Sequence, residues 1–532
     1  MAAPTADRRE RVALLLLQIG AIAVVLAALP YKTFDLDRFF VPKELVLHAT
    51  AFVAVLLCAF TARRWPLARV DQLLAWFVGL GLFSALFATN WWLAQRAVAI
   101  SISGAACFWA ARSIARAGYE RQLVSAIALA SVIGAATALL QTYGLNVEYF
   151  SLNRAPGGTF GNRNFMAHIG AIAMPALVLS ALFARSRGAY FRWSFGIGIV
   201  SAALMLSRSR AAWLALIICA IVMLPLGLIA LSDSDGTVRG GRVAVLPIAA
   251  AAGAALALLL PNTLDWRSDS PYLDTAKSVV DYKAGSGAGR LVQYGNTFRM
   301  SVRHPLLGVG PGNWSVQYPK FASADDPSMS SEGMTANPWP SSDWMTFLSE
   351  RGLPAFVILL LAMMALVADG LRGVRNGLDA EQRLGACALL GTIAVLVVVG
   401  SFDAVLLLPV PALIAWSLLG ALSQPSRERA AIEMPFLKRM LAVVVIAALG
   451  AIVVVRSASQ ASAMSLFSGT TRASRLERAS ALDPGSYRIH VRLAAAYLQR
   501  GNCPKVRAHA TAARKLFPTA PEPRRLLAEC GR

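Results

Sequence analysis

Apolar runs of spanning length recur along this chain with only short polar stretches between them, and that spacing dictates what it can become. The runs fall near residues 12–30, 44–62, 70–88, 95–115, 121–143, 164–184, 194–207, 211–231, 242–260, 342–369, 383–401, 404–422 and 437–456. A bilayer core takes about 20 apolar residues of helix, and backbone inside it must satisfy its own hydrogen bonds. The sequence therefore predicts an all-α, polytopic membrane protein of about 12–13 transmembrane helices. Composition closes off the soluble alternative, because 56% hydrophobic against 15% charged residues leaves too little polar surface to cover a core. The first run starts directly after "MAAPTADRRER" with no small-residue cleavage site, and reads as a retained span.

Arginine sets the orientation. Arg63, Arg64 and Arg69; Arg112, Arg116 and Arg121; Arg185, Arg187 and Arg192; Arg239 and Arg242; Arg372, Arg375 and Arg383; and Arg427, Arg429, Lys438 and Arg439 fall on every second connection, on the side of Arg8, Arg9 and Arg11. The positive-inside rule makes that side cytoplasmic. Residues 31–43, 144–163, 261–341 and the tail after 456 then face outward, the tail's side depending on 383–401 and 404–422 being two helices. Four regions follow: N-terminal transmembrane helices over 1–260, a loop over 261–341, C-terminal transmembrane helices over 342–456 and a small helical tail over 457–532. Much of the net charge of +22 sits in topology-setting turns, which argues against nucleic acid as a partner. In the large loop, Arg267, Lys277, Lys283, Arg290, Arg299, Arg303 and Lys320 balance Asp265, Asp269, Asp274, Asp281, Asp325, Asp326 and Glu332.

Some polar residues break this pattern. "MLSRSRAAW" places Arg208 and Arg210 on the outer side, where positive charge is disfavoured, and arginine near hydrocarbon calls for an anionic partner. "GTFGNRNFMAH" brings Arg163 and Asn164 to the start of a helix, whose free N–H groups also favour an anion. Capping or snorkelling is the structural alternative for each. In "SGAGRLVQYGNTFRMSVRHPLLGVGPGNW" Arg290 heads an amphipathic helix and His304 marks its end, where Pro305 stops it and Gly308, Gly310 and Gly312 build a tight turn. That turn reads as room for a bulky ligand to approach the backbone. A helix C-cap is the alternative role for His304. His48 and His168 read as packing or polar contacts.

Cys58, Cys107, Cys219 and Cys387 lie in apolar runs and read as packing. Cys503 and Cys530 are the two cysteines of the tail, and an oxidising compartment would pair them in a disulfide. The tail breaks at Asp483-Pro484-Gly485 and Phe517-Pro518, about one 34-residue repeat apart, and resembles tetratricopeptide helix pairs. So few units should lean on the membrane domain or a partner. Thirteen basic against four acidic residues fit an anionic neighbour such as phosphorylated head groups, or simply a solvated basic face.

Together, "GTFGNRNFMA", "SRSRAAW", the loop arginine, "RHPLLGVGPGNW" and "NPWPSSDWMTFLSERGLPAFVILL" resemble bacterial O-antigen ligase and its relatives, the O-antigen polymerases and protein O-oligosaccharyltransferases, over roughly residues 10–422. The resemblance implies a polytopic enzyme of the bacterial inner membrane. It would move a glycan, at the periplasmic face, from undecaprenyl diphosphate to an acceptor hydroxyl. Its functional residues fall on Arg210, Arg290 and His304 by motif match. Relatives often carry His-Asn where Ser341, Ser342 and Asp343 stand here, which puts that segment's role in doubt.

The chemistry suits those residue types. Breaking the anomeric bond develops charge on the leaving diphosphate, and guanidinium groups answer it with paired hydrogen bonds. Arg163, Asn164, Arg208, Arg210 and Arg290 are the candidate diphosphate ligands, and His304 the candidate general base for the acceptor hydroxyl. No cofactor is implied, and no poised carboxylate pair points to a metal, although Asp265 to Asp281 keep a metal-dependent reading open. The leading function is an O-antigen ligase with a lipid A-core acceptor among membrane lipids; polymerase or protein-directed transfer is the alternative. A transporter or flippase is remote, given no evident internal repeat and no acids within spans for ion coupling.

Overall fold

The computed structural model describes residues 8–30, 37–61, 64–66, 68–151, 154–232, 240–266, 268–277, 285–323, 325–330, 332–423 and 431–530. Arg63, Arg239, Arg267, Asp281, Lys283, Arg427 and Arg429 of the charge pattern lie outside them. The membrane half runs through α1 (Arg8–Leu26), α2 (Asp37–Thr61), α3 (Arg69–Ala85), α4 (Trp91–Ile114), α5 (Glu120–Thr142), α6 (Arg163–Leu182), α7 (Arg187–Ser207), α8 (Arg210–Ser232) and α9 (Gly240–Leu259). The large loop holds α10 (Pro271–Lys277), α11 (Gly285–Arg303) and α12 (Trp314–Gln317). Then come α13 (Asp343–Asn376), α14 (Ala380–Phe402), α15 (Pro409–Leu422) and α16 (Phe436–Phe467), and the tail helices α17 (Ala473–Leu482), α18 (Tyr487–Leu498), α19 (Cys503–Leu516) and α20 (Glu522–Glu529).

The protein is an all-α polytopic membrane protein. Among the described residues, nine helical segments are long and apolar enough to cross a membrane, and one of them, 91–142, holds both α4 and α5. α1, α3 and α15 pack into the same core. Small residues let the helices close up: a Cβ on Gly420 would meet the Phe108 carbonyl oxygen at 2.2 Å, and one on Gly104 would meet Trp416 at 2.6 Å.

The basic turns gather at one end. Strand β1 (Arg64–Pro66), after α2, pairs antiparallel with β2 (Ala431–Glu433), before α16. Arg121, in the first turn of α5, pairs with Glu381 at the start of α14. Arg242 at the start of α9 donates to the carbonyls of Leu182, the last residue of α6, and of Ala184 just beyond it. The long loops and the tail collect at the opposite end, called here the loop end.

Two spans differ from the sequence reading. The run 404–422 is helical only from Pro409, because proline preorganises a first helical turn while excluding α conformation before it. α15 is therefore 14 residues, about 21 Å, well short of a full crossing. Residues 403–408 instead form a non-helical segment held by Asp343, whose carboxylate accepts the N–H groups of Val405 and Leu406. Irregular backbone next to a span persists where protein satisfies its polar groups. α13 also breaks its helical geometry at Gly352, φ 79°.

The tail rests on the loop end. Arg456 of α16 pairs with Asp483 and lies over Trp92, with 4.6 Å to the ring centroid. The Asn90 side chain donates to the Leu516 carbonyl at 3.2 Å. The tail's core takes in Phe467 of α16 and Val41 of α2. Cys503 and Cys530 are joined, with Cα atoms 5.5 Å apart and a sequence separation of 27. Loop-closure entropy puts such a link at about 3.5 kcal/mol. The expected result is that reductant lowers the unfolding temperature of the purified wild type but not of Cys503→Ser/Cys530→Ser. Equal response of both proteins would show the pair to be unlinked in solution.

Candidate active site

The loop before α6 is thin and clamped. The Gln141 side-chain oxygen accepts the N–H groups of Gly157 and Gly158 at 2.9 and 2.8 Å, and Gly161, φ 77°, lies where a Cβ would strike the Phe39 ring at 2.2 Å. Asn162 caps α6 by accepting from the Asn164 N–H at 3.0 Å. Arg163 thus emerges at the loop end, half-buried, with its guanidinium 4.8 Å from the centroid of Trp266.

A second arginine reaches the same indole. α7 and α8 are joined by a two-residue turn in which Arg208 adopts φ 53°, ψ 29°, the left-handed region usually left to glycine. It is the only described non-glycine residue with positive φ. Side-chain bonding by Ser207, which donates to Leu204 and accepts from the Ser209 N–H, holds the turn. Arg208 lies 4.7 Å from the Trp266 centroid, and its Nε donates to Thr275 Oγ1 of α10 at 2.8 Å. Arg210 opens α8 two residues on.

Such a conformation costs about 1–3 kcal/mol and persists only where its surroundings impose it. Arg208→Gly is therefore expected to unfold about 1 kcal/mol later than Arg208→Ala, since only glycine relieves the backbone, while both lose donor-lipid affinity at least tenfold. Thermal unfolding and lipid binding on the two variants check this; an alanine variant as stable as the glycine one would remove the strain argument.

Arg290 lies one and a half turns into α11, half-buried. Its charge acts on His168 of α6, on Tyr294 and on Asp403. Tyr294 donates to the carbonyls of Ser341 at 2.5 Å and Ser401 at 2.8 Å, which ties α11 to the ends of α13 and α14. Asp403 begins the irregular segment before α15. Burial pushes its carboxyl up to about 6, against the opposing pull of Arg290, the Ala404 N–H and Arg154. Arg154 acts on both Asp403 and Arg163, so the groups form one neighbourhood. Among the described residues, Arg163, Arg208 and Arg290 have no carboxylate within ion-pair distance, and the buried Trp266 indole N–H has no partner.

The structure does not bring His304 into this neighbourhood. It follows the end of α11, 14 residues or about 21 Å of helix from Arg290, and is exposed. Its own carbonyl accepts from the Gly308 N–H at 3.0 Å. The glycine turn after it faces protein rather than open space. Cβ atoms on Gly308, Gly310 and Gly312 would meet Glu350, Ala88 and Leu93 at 2.3, 2.5 and 2.7 Å. The buried Glu350 carboxylate accepts the N–H groups of Gly312 at 2.7 Å and Trp314 at 3.0 Å, fastening the turn beside the Gly352 break. The glycines make room for α13, for Ala88 in the turn before α4 and for α4 itself.

Sequence reasoning missed Asp403, Trp266, Thr275 and Arg154. A single acid between the apolar runs of "VLVVVGSFDAVLLLPVPALI" was a usable signal, because a carboxylate beside hydrocarbon is expensive and seldom idle. Nothing local marks Trp266. Among the described residues no three His, Cys, Asp or Glu side chains come together in a way that could hold a metal ion.

What remains is a half-buried set of arginines around an indole, with one raised carboxyl at its edge, suited to an anion carrying several oxygens. No curated protein matches the chain. Residues 195–360 match the family described as O-antigen ligase, and that stretch carries Arg208, Arg210, Trp266, Arg290 and His304.

Proposed function

We propose that this chain is an O-antigen ligase, and that Arg163, Asn164, Arg208, Arg210 and Arg290 form the seat for the diphosphate of an undecaprenyl-linked glycan. The observation that carries the reading is the juxtaposition of Arg163 and Arg208 over Trp266 with no carboxylate paired to either among the described residues. Like charges held together and left without an anion favour binding one. The acceptor is a hydroxyl of lipid A-core, and the site faces the periplasm of the inner membrane, in keeping with arginine-rich turns at the other end.

In the reaction the acceptor oxygen bonds to the anomeric carbon as the bond from that carbon to the diphosphate oxygen breaks. Undecaprenyl diphosphate leaves with the electron pair, its growing charge met by the arginines without need of a metal. The hydroxyl proton passes to a base. The arrangement favours Asp403, which borders the arginines, over His304 at the far end of α11.

The test is purified protein with an undecaprenyl diphosphate-linked glycan, offered lipid A-core, a second glycan-bearing lipid and a serine-rich peptide in parallel, with chelator present. Glycosylated lipid A-core is expected. Glycan on the second lipid or on the peptide instead would reassign the chain as a polymerase or a protein oligosaccharyltransferase, and loss of transfer in chelator would end the metal-free reading.

A further inference from the structure

The helix that carries Arg290 is inside out for a helix in water. Its buried face is mostly polar: Gln293, Asn296, Thr297, Met300 and Ser301. These side chains are bonded to the loop, Gln293 donating to Ser328 at 2.9 Å and accepting from the Ser341 N–H at 2.7 Å, and Asn296 donating to Asp326 at 2.7 Å. The Trp314 indole donates to Thr297 at 3.0 Å. The opposite face is apolar and uncovered, with Leu291 53%, Phe298 55% and Val302 61% exposed, and Leu306 just beyond at 70%. A helix whose polar stripe is satisfied inward gains nothing by showing the apolar one to water, so an apolar medium or partner belongs there.

The placement of α11 says which. The helix touches spanning helices at its middle, through Tyr294 to Ser401 in the last turn of α14, and just past its end, through Pro305, whose carbonyl accepts the N–H of Leu353, next to the Gly352 break of α13, at 2.7 Å. Its axis therefore crosses the loop end rather than projecting from it. Leu306 is fitted against Gly352, so the uncovered stripe runs on into Leu353, Val357 and Met364 of α13, which are exposed on a spanning helix. Leu307 adjoins Ser84, beside the exposed Phe83 of α3 and the exposed Leu86 and Phe87 just after it. The stripe and the exposed apolar surface of these two helices adjoin. Arg299 and Arg303 stand exposed beside Phe298 and Val302, as cations do at head-group phosphates.

We propose that α11 is an interfacial helix, seated in the outer leaflet with Leu291, Phe298, Val302 and Leu306 among the acyl chains and Arg299 and Arg303 at the level of the lipid phosphates. The partner is the bilayer itself rather than a protein, because the stripe adjoins the exposed apolar surface of these two helices.

The test uses the full chain in nanodiscs of mixed zwitterionic and anionic phospholipid, with a nitroxide on Phe298→Cys, Val302→Cys or, should either fold poorly, Leu291→Cys. Ser323→Cys in the polar part of the loop is the reference; the four unpaired native cysteines are buried. Relaxation by oxygen is expected to exceed relaxation by a water-soluble nickel complex several-fold at the α11 sites and to fall below it at 323. Nickel-dominated relaxation at the α11 sites would overturn the proposal. So would nitroxide broadening that vanishes on dilution with unlabelled protein, since that places a second copy on the stripe. Glycan transfer is not read in this experiment, so its outcome stands apart from that of the function test.

Discussion

Arg210→Lys and Arg290→Lys are each expected to lower glycan transfer by tens-fold to about a thousandfold, although both keep the charge. Lysine offers a point charge where the leaving diphosphate calls for a planar fork giving two parallel hydrogen bonds. Because the largest share of that interaction forms as the anomeric bond breaks, the loss should fall on turnover more than on donor binding. Alanine should be no kinder. Single-turnover rates and donor affinity on the same folded, detergent-purified variants check this. A lysine variant that keeps more than half of wild-type turnover would reduce that arginine to a general electrostatic contributor.

Asp403→Asn is expected to lower turnover by a hundredfold or more with donor binding nearly intact, since a base acts on the acceptor and only as the bond forms. His304→Ala should change turnover far less. The pH profile supplies the sign: the carboxyl, raised to about 6 by burial, must be deprotonated to accept a proton, so activity is full above that value and falls about tenfold per unit below it. In Asp403→Asn this acid limb should disappear. The reverse ranking, His304→Ala inactive and Asp403→Asn active, would return the role of base to the histidine.

The spans were legible because hydrocarbon permits so few solutions: apolar length and arginine placement suffice, and the paired turns at one end follow that pattern. Where the chain departed from it, the cause was local. Pro409 forbade the helix that hydropathy alone would draw through 404–408, and the non-helical segment it left carries Asp403. The arginines could be singled out by their cost, yet their meeting place could not, since Trp266 lies 103 residues from Arg163 and 58 from Arg208 and is chosen by tertiary packing. The glycines after His304 announced a close approach without saying of what. A missing Cβ reads the same whether a sugar or a neighbouring helix takes the space, and here it is the helix.

α16 has few neighbours along its length: only 17% of its most apolar window is buried, and it runs chiefly against α2. Its first end is hooked to the α2–α3 turn by the β1–β2 ribbon, its final third is hooked to the mouth of α4 by Arg456, Asp483 and Trp92, and its last turn is packed into the tail's core through Met464 and Phe467. A rod so weakly glued on its flank is kept in place by fastenings at its start and along its final third. The tail is then a latch: by gripping α4 it closes the final strap around the bundle, and the same grip, with Pro521 against Gly333, sets a floor under the loop that holds the arginine-bearing helix across the opening.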